Sequence, residues 1–187
     1  MVTRGTFKES DGSEVEMADA KAAWIPLARE VLLKTAGKYH ALISYGELAA
    51  ELQSQSGIHT KQLVHYWIGD VLGSVARDCY AKDEPLLSAL CVQQNGLVGA
   101  GYKVVWADTY GEPIPEDLDQ SAADERLKCY KFFGAEIPAD GGRAALTPQV
   151  ATKRRTAQKR AQEDRVRPVC PTCHLTVPAN GRCDTCE

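Results

Sequence analysis

Four of the chain's seven cysteines lie close together in the sequence. Their spacing, C-x2-C-x9-C-x2-C, forms two pairs, and each pair can turn its backbone to direct both sulfurs at one ion. Four thiolates in tetrahedral geometry suit Zn²⁺ better than other common cations. The sequence therefore predicts a zinc site formed by Cys170, Cys173, Cys183 and Cys186.

Other chemistry remains open for these thiols. His174 could replace one cysteine as a ligand, and an iron–sulfur cluster or a redox-active dithiol would use the same residues. Four protein ligands leave no position for a substrate, so the predicted role of the metal is structural. A segment of about twenty residues cannot form its own hydrophobic core. We therefore interpret residues 168–187 as a small zinc ribbon that folds around its ion.

A basic segment precedes the cysteines. Residues 151–187 contain eight Lys/Arg and four Asp/Glu, a net charge of +4, whereas residues 1–150, with fourteen and twenty-one, carry −7. Residues 139–167 lack an apolar period, and we predict a basic linker that is partly helical between Val150 and Arg165. Such a segment either follows the phosphates of a nucleic acid or is only a solvated tether. The predicted phosphate contacts are Lys153, Arg154, Arg155, Lys159 and Arg160.

The periodic apolar pattern of residues 19–138 predicts one folded domain built mainly from helices. Ser44 and Glu47 have the spacing of a capping box at a helix start. A break near Gly69 or Gly73 would divide the third helix in two. The predicted helices cover residues 19–36, 44–53, 60–82 and 117–133.

Between the third and fourth helices the pattern changes to that of strands. The apolar run at residues 86–92 is followed by Asn95-Gly96, a strong hairpin signal, and by an alternating segment up to residue 107. Helices followed by a hairpin are the order of a winged helix-turn-helix, so the predicted fold class is α+β and mostly helical. Residues 1–18 are polar and acidic, and we predict that they are disordered.

Four short motifs between residues 39 and 102 carry a family resemblance. They are Ile43–Ala49, Val71–Ala76, Glu84-Pro85 and Gly96–Tyr102. In their order and chemistry they resemble the DNA-binding part of O6-alkylguanine-DNA alkyltransferases. This resemblance implies a winged helix-turn-helix domain that docks on duplex DNA.

The resemblance also implies a recognition helix from about Thr60 to Gly69. On such a helix Lys61 can reach a phosphate, while Gln62 and His65 can read base edges. The candidate contacts to nucleic acid on and around this domain are His59, Thr60, Lys61, Gln62, His65 and Lys103.

The chain departs from the alkyltransferases at their active site. That family carries a Pro-Cys-His-Arg motif, whereas the matching region here runs from Pro85 to Val92 and contains Cys91 with no neighbouring histidine. A buried thiol without a base is inert, so a nucleophilic Cys91 is the less favoured alternative and we predict no catalytic residue. Cys79 and Cys129 lie on apolar helix faces and are predicted core residues.

We expect a non-enzymatic DNA-binding protein with a regulatory or phage-defence role. The alternative is a protein–protein interaction adaptor with a zinc ribbon, and the third possibility is a degenerate DNA-repair or nuclease-associated factor. No run of about 20 apolar residues suggests a membrane span. We expect a cytoplasmic protein, associated with the nucleoid if it binds DNA, whose partner is double-stranded DNA or a protein and which has no small-molecule substrate.

Overall fold

A computed structural model describes residues 5–111, 113–163, 169–177 and 181–186. The chain divides into two compact units, Met1–Val150 and Ala151–Glu187. We call the first the body and the second the C-terminal unit.

The described residues form six α-helices, two short 3-10 helices and four short strands. β1 pairs antiparallel with β3, and β2 pairs parallel with β4, so the fold is α+β and mostly helical, as predicted. The helices are α1 (Met17–Ala36), α2 (Tyr45–Ser56), α3 (Ile68–Ala81), α4 (Gly101–Tyr110), α5 (Leu118–Phe132) and α6 (Pro148–Glu163). The strands are β1 (Thr6–Lys8), β2 (Ile43–Ser44), β3 (Ile58–Thr60) and β4 (Cys91–Val92). The 3-10 helices are Val64–Tyr66 and Leu87–Leu90.

The main core of the body lies between α1, α2 and α3. Trp24 and Trp67 are both buried, and their ring centroids lie 4.4 Å apart. Trp24 Nε1 donates to Ser56 Oγ at 3.0 Å, which gives the buried indole N–H its partner. α1 continues through Pro26 although that residue lacks an N–H. Apolar side chains are buried on both sides of it, so packing outweighs the missing hydrogen bond.

The predicted capping box at the start of α2 is confirmed. Ser44 Oγ accepts from Glu47 N at 3.2 Å, and Glu47 Oε2 accepts from Ser44 N at 2.8 Å. α2 ends at Ser56 and is capped by Gly57, whose φ of 64° is the left-handed conformation that favours glycine. Local sequence signals therefore set both ends of this helix.

The predicted hairpin wing is wrong. Of residues 86–107, all of which the structure describes, only Cys91–Val92 form a strand, and this strand pairs with β2. The returning segment is α4, where the rings of Tyr102 and Trp106 lie 6.4 Å apart and those of Trp106 and Tyr110 lie 4.6 Å apart. Residues four apart stack on one helix face, so this run fits a helix as well as a strand. The winged helix-turn-helix is therefore not confirmed.

The N-terminal residues predicted to be disordered contain β1. Its partner is β3, a strand distant in sequence, and Thr6 Oγ1 donates to Thr60 Oγ1 at 3.0 Å. Long-range pairing of this kind leaves little signal in a short polar segment. The register pairs Thr6 with Thr60, Phe7 with His59 and Lys8 with Ile58.

The same pairing removes the recognition helix predicted for residues 60–69. Thr60 N donates to Gln53 Oε1 at 2.8 Å and Lys61 N donates to Gly5 O at 3.4 Å, so the chain is extended where a helix was expected. After the 3-10 helix the α-helix begins only at Ile68. α3 then runs unbroken through Gly69 and Gly73, so the predicted break at one of these glycines is wrong.

The helix predicted for residues 117–133 is confirmed as α5, and it anchors part of the predicted linker. Asp117 caps it by accepting from Gln120 N at 3.0 Å. Arg126, which is buried, donates through Nη2 to Ala145 O at 3.2 Å, and Thr147 Oγ1 donates to Gly96 O at 3.0 Å. Residues 139–147 therefore pack on the body and are not a linker.

The remainder of the predicted linker is largely α6. Val150 is buried in the body, whereas residues 151–162 are exposed except for the half-buried Arg154. Arg165, the expected end of the helical part, lies outside the described residues. Across the described part of the chain, every helix is too short or too polar to cross a bilayer.

Candidate metal centre and nucleic-acid surface

The four cysteines of the predicted zinc site come together in the C-terminal unit. Their sulfur atoms all lie within 4.8 Å of one another. Cys170 Sγ lies 3.8 Å from Cys186 Sγ, and Cys173 Sγ lies 3.4 Å from Cys183 Sγ. A tetrahedral site with Zn–S bonds of about 2.3 Å requires sulfurs about 3.8 Å apart. The cluster therefore has the dimensions of a four-thiolate metal site.

The backbone of the first pair makes a tight turn that brings both sulfurs to one side. Cys170 N donates to Leu175 O at 2.8 Å, and His174 N donates to Cys170 O at 2.9 Å. His174 adopts a φ of 57°, which lets the chain reverse, and Val169 then pairs with Thr176. Before the second pair Gly181 has a φ of 76°, a conformation that suits glycine and lets the chain turn into that pair.

The arrangement favours metal binding over a disulfide. All four thiols are free, and the sulfur separations of 3.8 Å and 3.4 Å are far above the disulfide bond length of about 2.05 Å. The set of residues that could hold an ion contains the four cysteines and not His174. The site can therefore bind a metal ion through four sulfurs, and the alternative in which His174 replaces a cysteine gains no support.

The electrostatics of the cluster show why a cation suits it. Hydrogen bonds from the backbone N–H groups of Cys173 and Thr172 lower the pKa of the Cys170 thiol to about 6. A hydrogen bond with Cys173 raises the pKa of Cys186 to about 12. Cys186 therefore stays protonated near neutral pH unless a cation compensates its charge.

The residues predicted for the recognition helix lie on three different elements. His59 and Thr60 belong to β3, where His59 Nε2 lies 3.3 Å from Glu9 Oε2 and Thr60 Oγ1 accepts from Thr6. Lys61 and Gln62 are exposed in the following loop. His65 is exposed in the 3-10 helix, with its ring centroid 4.2 Å from that of Tyr66. These residues therefore do not form the single reading face that a recognition helix presents.

The remaining predicted contacts lie on two helices. Lys103 is exposed near the start of α4 in the body. The other five cations all belong to α6, so the segment predicted as a partly helical linker becomes one continuous basic helix. They are Lys153, Arg154, Arg155, Lys159 and Arg160.

Cys91 lies in the body beside a small cavity of about 40 Å³. Its side chain is buried, and burial raises the pKa of the thiol well above its usual range. Among the described residues, no histidine lines the cavity, while Ser88 Oγ and the Tyr102 hydroxyl line it without a hydrogen-bond partner. This volume suits a few water molecules, since ligand sites enclose about 300–1,000 Å³. Cys91 thus lacks the low pKa of a nucleophilic thiol.

Sequence reasoning missed two buried charges on α5, Glu125 and Arg126. Both residues occupy positions of the helical pattern that face the core. A charged residue at such a position is the sequence signal that could have identified them. Cys79 and Cys129, by contrast, are buried core residues as predicted, and burial raises the pKa of each thiol.

Comparisons with protein-family models, with curated proteins and with solved structures found no match to this chain.

Proposed function

We propose that the protein is a non-enzymatic binder of double-stranded DNA whose main contact is α6. The observation that carries this proposal is the charge of that helix, which has five Lys/Arg and no Asp/Glu from residue 148 to residue 162. Neutralising phosphates and releasing their counterions dominates the affinity of such surfaces for DNA. A long helix with cations and no carboxylate over four turns suits that role better than the acidic body does.

The cations of α6 are distributed in a way that fits a groove. At about 100° per residue, Lys153 and Arg160 share one face, and Arg155 and Lys159 share the opposite face. All four side chains are exposed. A helix in the major groove has a phosphate backbone on each side, so cations on opposite faces match two rows of phosphates.

The exposure of α6 supports a partner for this helix. Beyond Val150 it buries no large apolar side chain, and a helix that is polar all round gains little from packing. Isolated helices of this length are marginal in water. Binding to DNA would stabilise the helix by pairing its cations with phosphates.

We propose that the ion in the four-cysteine site is Zn²⁺. The donors are four sulfurs with tetrahedral dimensions, which is the ligand set of structural zinc. Cys170, Cys173, Cys183 and Cys186 would hold it, and no coordination position would remain for a substrate. The metal would then supply the folding energy of the cysteine-containing segment, which follows the basic helix in the sequence.

The body would make a smaller contribution to DNA binding. Lys61 and Lys103 are exposed but lie on separate elements, and residues 1–150 carry a net charge of −7. Negative charge repels the phosphate backbone. Contacts from the body would therefore contribute less to the affinity for DNA than contacts from α6.

The test is binding of random duplex DNA by zinc-loaded full-length protein, measured by fluorescence anisotropy across a salt series. Arg155→Gln/Lys159→Gln removes two cations from one face of α6. Its matched control, Lys61→Gln/Lys103→Gln, removes two from the body. We expect the α6 variant to reduce the slope of log K against log salt by about two, and the control to change it little.

Other outcomes would redirect the proposal. A larger loss in the control variant would place the main contact on the body. No binding by the wild-type protein at low salt would contradict the DNA proposal and favour the adaptor function. Metal content measured on the purified protein, with Co²⁺ substitution to report thiolate coordination, tests zinc independently of DNA.

A further inference from the structure

A cavity of about 210 Å³ opens beside α5 in the body. Among the described residues, its lining includes two arginines and one histidine and no Asp or Glu. Leu42 and Ala123 contribute to an apolar part of the wall. The two arginines are Arg126 and Arg143, and the histidine is His40.

Arg126 is a buried cation with neutral partners. Only 3% of it is exposed, and its Nη1 and Nη2 donate to Ala89 O and Ala145 O, each at 3.2 Å. An arginine has five N–H donors and stays protonated in proteins. Among the described residues no carboxylate forms an ion pair with it. Its charge is therefore not compensated by direct contact.

Glu125, the preceding residue on α5, is a buried charge that is both hydrogen-bonded and paired with an opposite charge. It is fully buried and accepts from Leu86 N and the Tyr110 hydroxyl, each at 2.8 Å. Lys128 Nζ donates to its other oxygen at 2.9 Å and balances its charge. In the part of the chain that the structure describes, no carboxylate pairs with Arg126 as Lys128 pairs with Glu125, although Arg126 is buried almost as completely.

An uncompensated buried charge is costly, because desolvation is not repaid by an opposite charge. Burial lowers the pKa of the Arg126 guanidinium, which reflects this cost. The carboxylate that acts on it electrostatically, Asp119, lies two helical turns earlier on α5 and accepts from Val98 N at 3.0 Å. An anion in the cavity would supply the missing charge at contact distance.

The loop that carries Arg143 is fixed against the body. The Tyr39 hydroxyl accepts from Arg143 N at 2.8 Å and donates to Arg143 O at 3.2 Å. Gly142 has a φ of 65°, and a Cβ there would lie 2.8 Å from the Tyr39 hydroxyl. The ring of His40 contacts that of Tyr39 at a tilt of 38°, with centroids 3.8 Å apart. Tyr39 thus places both residues at the cavity.

We propose that this cavity binds the phosphate group of a small organic molecule, with Arg126 and Arg143 as its partners. Guanidinium groups match phosphate oxygens in both charge and geometry. The volume lies below the roughly 300–1,000 Å³ of larger ligand sites, so the molecule is small. Its apolar part would contact Leu42 and Ala123. This inference does not rest on DNA binding.

The experiment is calorimetric titration of zinc-loaded full-length protein, without DNA, with inorganic phosphate. Sodium chloride at matched ionic strength controls for screening, and acetate tests whether a carboxylate suffices. We expect phosphate to bind with one-to-one stoichiometry, and chloride and acetate to bind more weakly or not at all. Equal responses to phosphate and chloride would overturn the proposal, and acetate binding as tight as phosphate would overturn the assignment to phosphate.

Two exposed arginines give a matched pair of variants. Arg143→Gln removes a proposed partner, and we expect roughly tenfold weaker phosphate binding, as for loss of one charge-assisted hydrogen bond. Arg77→Gln removes an arginine on α3 that does not line the cavity, and it should bind like the wild type. Unchanged binding by Arg143→Gln would contradict the proposal.

Arg126→Met tests the buried partner. We expect it to abolish phosphate binding while the protein remains folded, because methionine removes a buried charge that direct contacts leave uncompensated. Circular dichroism checks the fold. If this variant does not fold, the Arg143→Gln and Arg77→Gln pair still decides the matter.

Discussion

The body and the C-terminal unit are stabilised by different interactions. In the body, large side chains such as Trp24, Leu32 and Leu48 are fully buried. In the described part of the C-terminal unit, Val169 and Leu175 are 55% and 53% exposed, and Cys170 is the one buried apolar side chain. A long segment can bury a core, whereas a short one needs another source of folding energy. The cysteine cluster is that source once it binds an ion.

Metal removal should have the largest effect and should separate the two units. Chelation of the full-length protein is expected to unfold residues 169–186, because apparent metal-binding energies of about 10–16 kcal/mol drive the folding of such modules. All three tryptophans lie in the body, so near-ultraviolet circular dichroism should be unchanged. Thiol titration should find four reactive cysteines after chelation and all seven only after denaturation.

Two variants sharpen this result. Cys173→Ser removes a ligand and should release the metal, whereas His174→Ser should retain it. Metal loss from His174→Ser without unfolding of the body would show that the histidine is a ligand. If chelation changed the tryptophan signal, the stability of the two units would depend on a shared element.

A core truncation in the body should show the opposite selectivity. Leu32→Ala removes a fully buried side chain of α1 and should lower the free energy of unfolding of the body by about 2–5 kcal/mol. The metal content should not change. Leu33→Ala, at a half-buried neighbouring position, is the matched control and should cost clearly less. Denaturant unfolding followed by tryptophan fluorescence measures both, and equal losses would contradict the burial pattern.

Polar anchoring within the body can be tested at Glu125. Glu125→Leu leaves Leu86 N, the Tyr110 hydroxyl and Lys128 without their acceptor and should cost about 3–5 kcal/mol. Asp124→Leu makes the same change at an exposed position of α5 and should stay within about 0.5 kcal/mol of the wild type. Chemical denaturation compares them. Similar stabilities would mean that α5 is held by apolar contacts alone.

The capping box of α2 should give the smallest effect and a pH signature. Hydrogen bonds with Ser44 lower the pKa of Glu47 below its ordinary value of 4.5. The unfolded state therefore binds the proton more readily, and this stabilisation is present above pH 4.5 and is lost as pH falls through the lowered pKa. Ser44→Ala should cost about 1 kcal/mol at pH 7. Its deficit relative to wild type should shrink in acid, measured by denaturation at several pH values.

Local signals in the sequence were reliable where neighbours in the chain decide the structure. The capping box of Ser44 and Glu47 and the helix now described as α5 follow from contacts within a few residues. The cysteine spacing likewise predicted that the four thiols come together, because two short turns suffice to bring each pair of sulfurs together. Such features need little information from the rest of the fold.

The errors fall where distant residues decide. β3 is a strand because β1 pairs with it across about fifty residues, although its sequence also fits a helix start. The segment from Tyr102 to Tyr110 satisfies both a strand period and a helix period, and packing against the body selects the helix. Short elements with ambiguous periods carry too little local preference to resist tertiary contacts.

Composition and spacing alone thus account for the charge difference between residues 1–150 and 151–187, the four-cysteine cluster and the helices α1, α2 and α5. The cavity of Arg126 and Arg143 could not be derived in that way. It depends on α5, on a loop held by Tyr39, and on the absence of a carboxylate at contact distance from Arg126 in the described residues. Burial and charge compensation are properties of the packed chain, because they depend on which distant groups become neighbours.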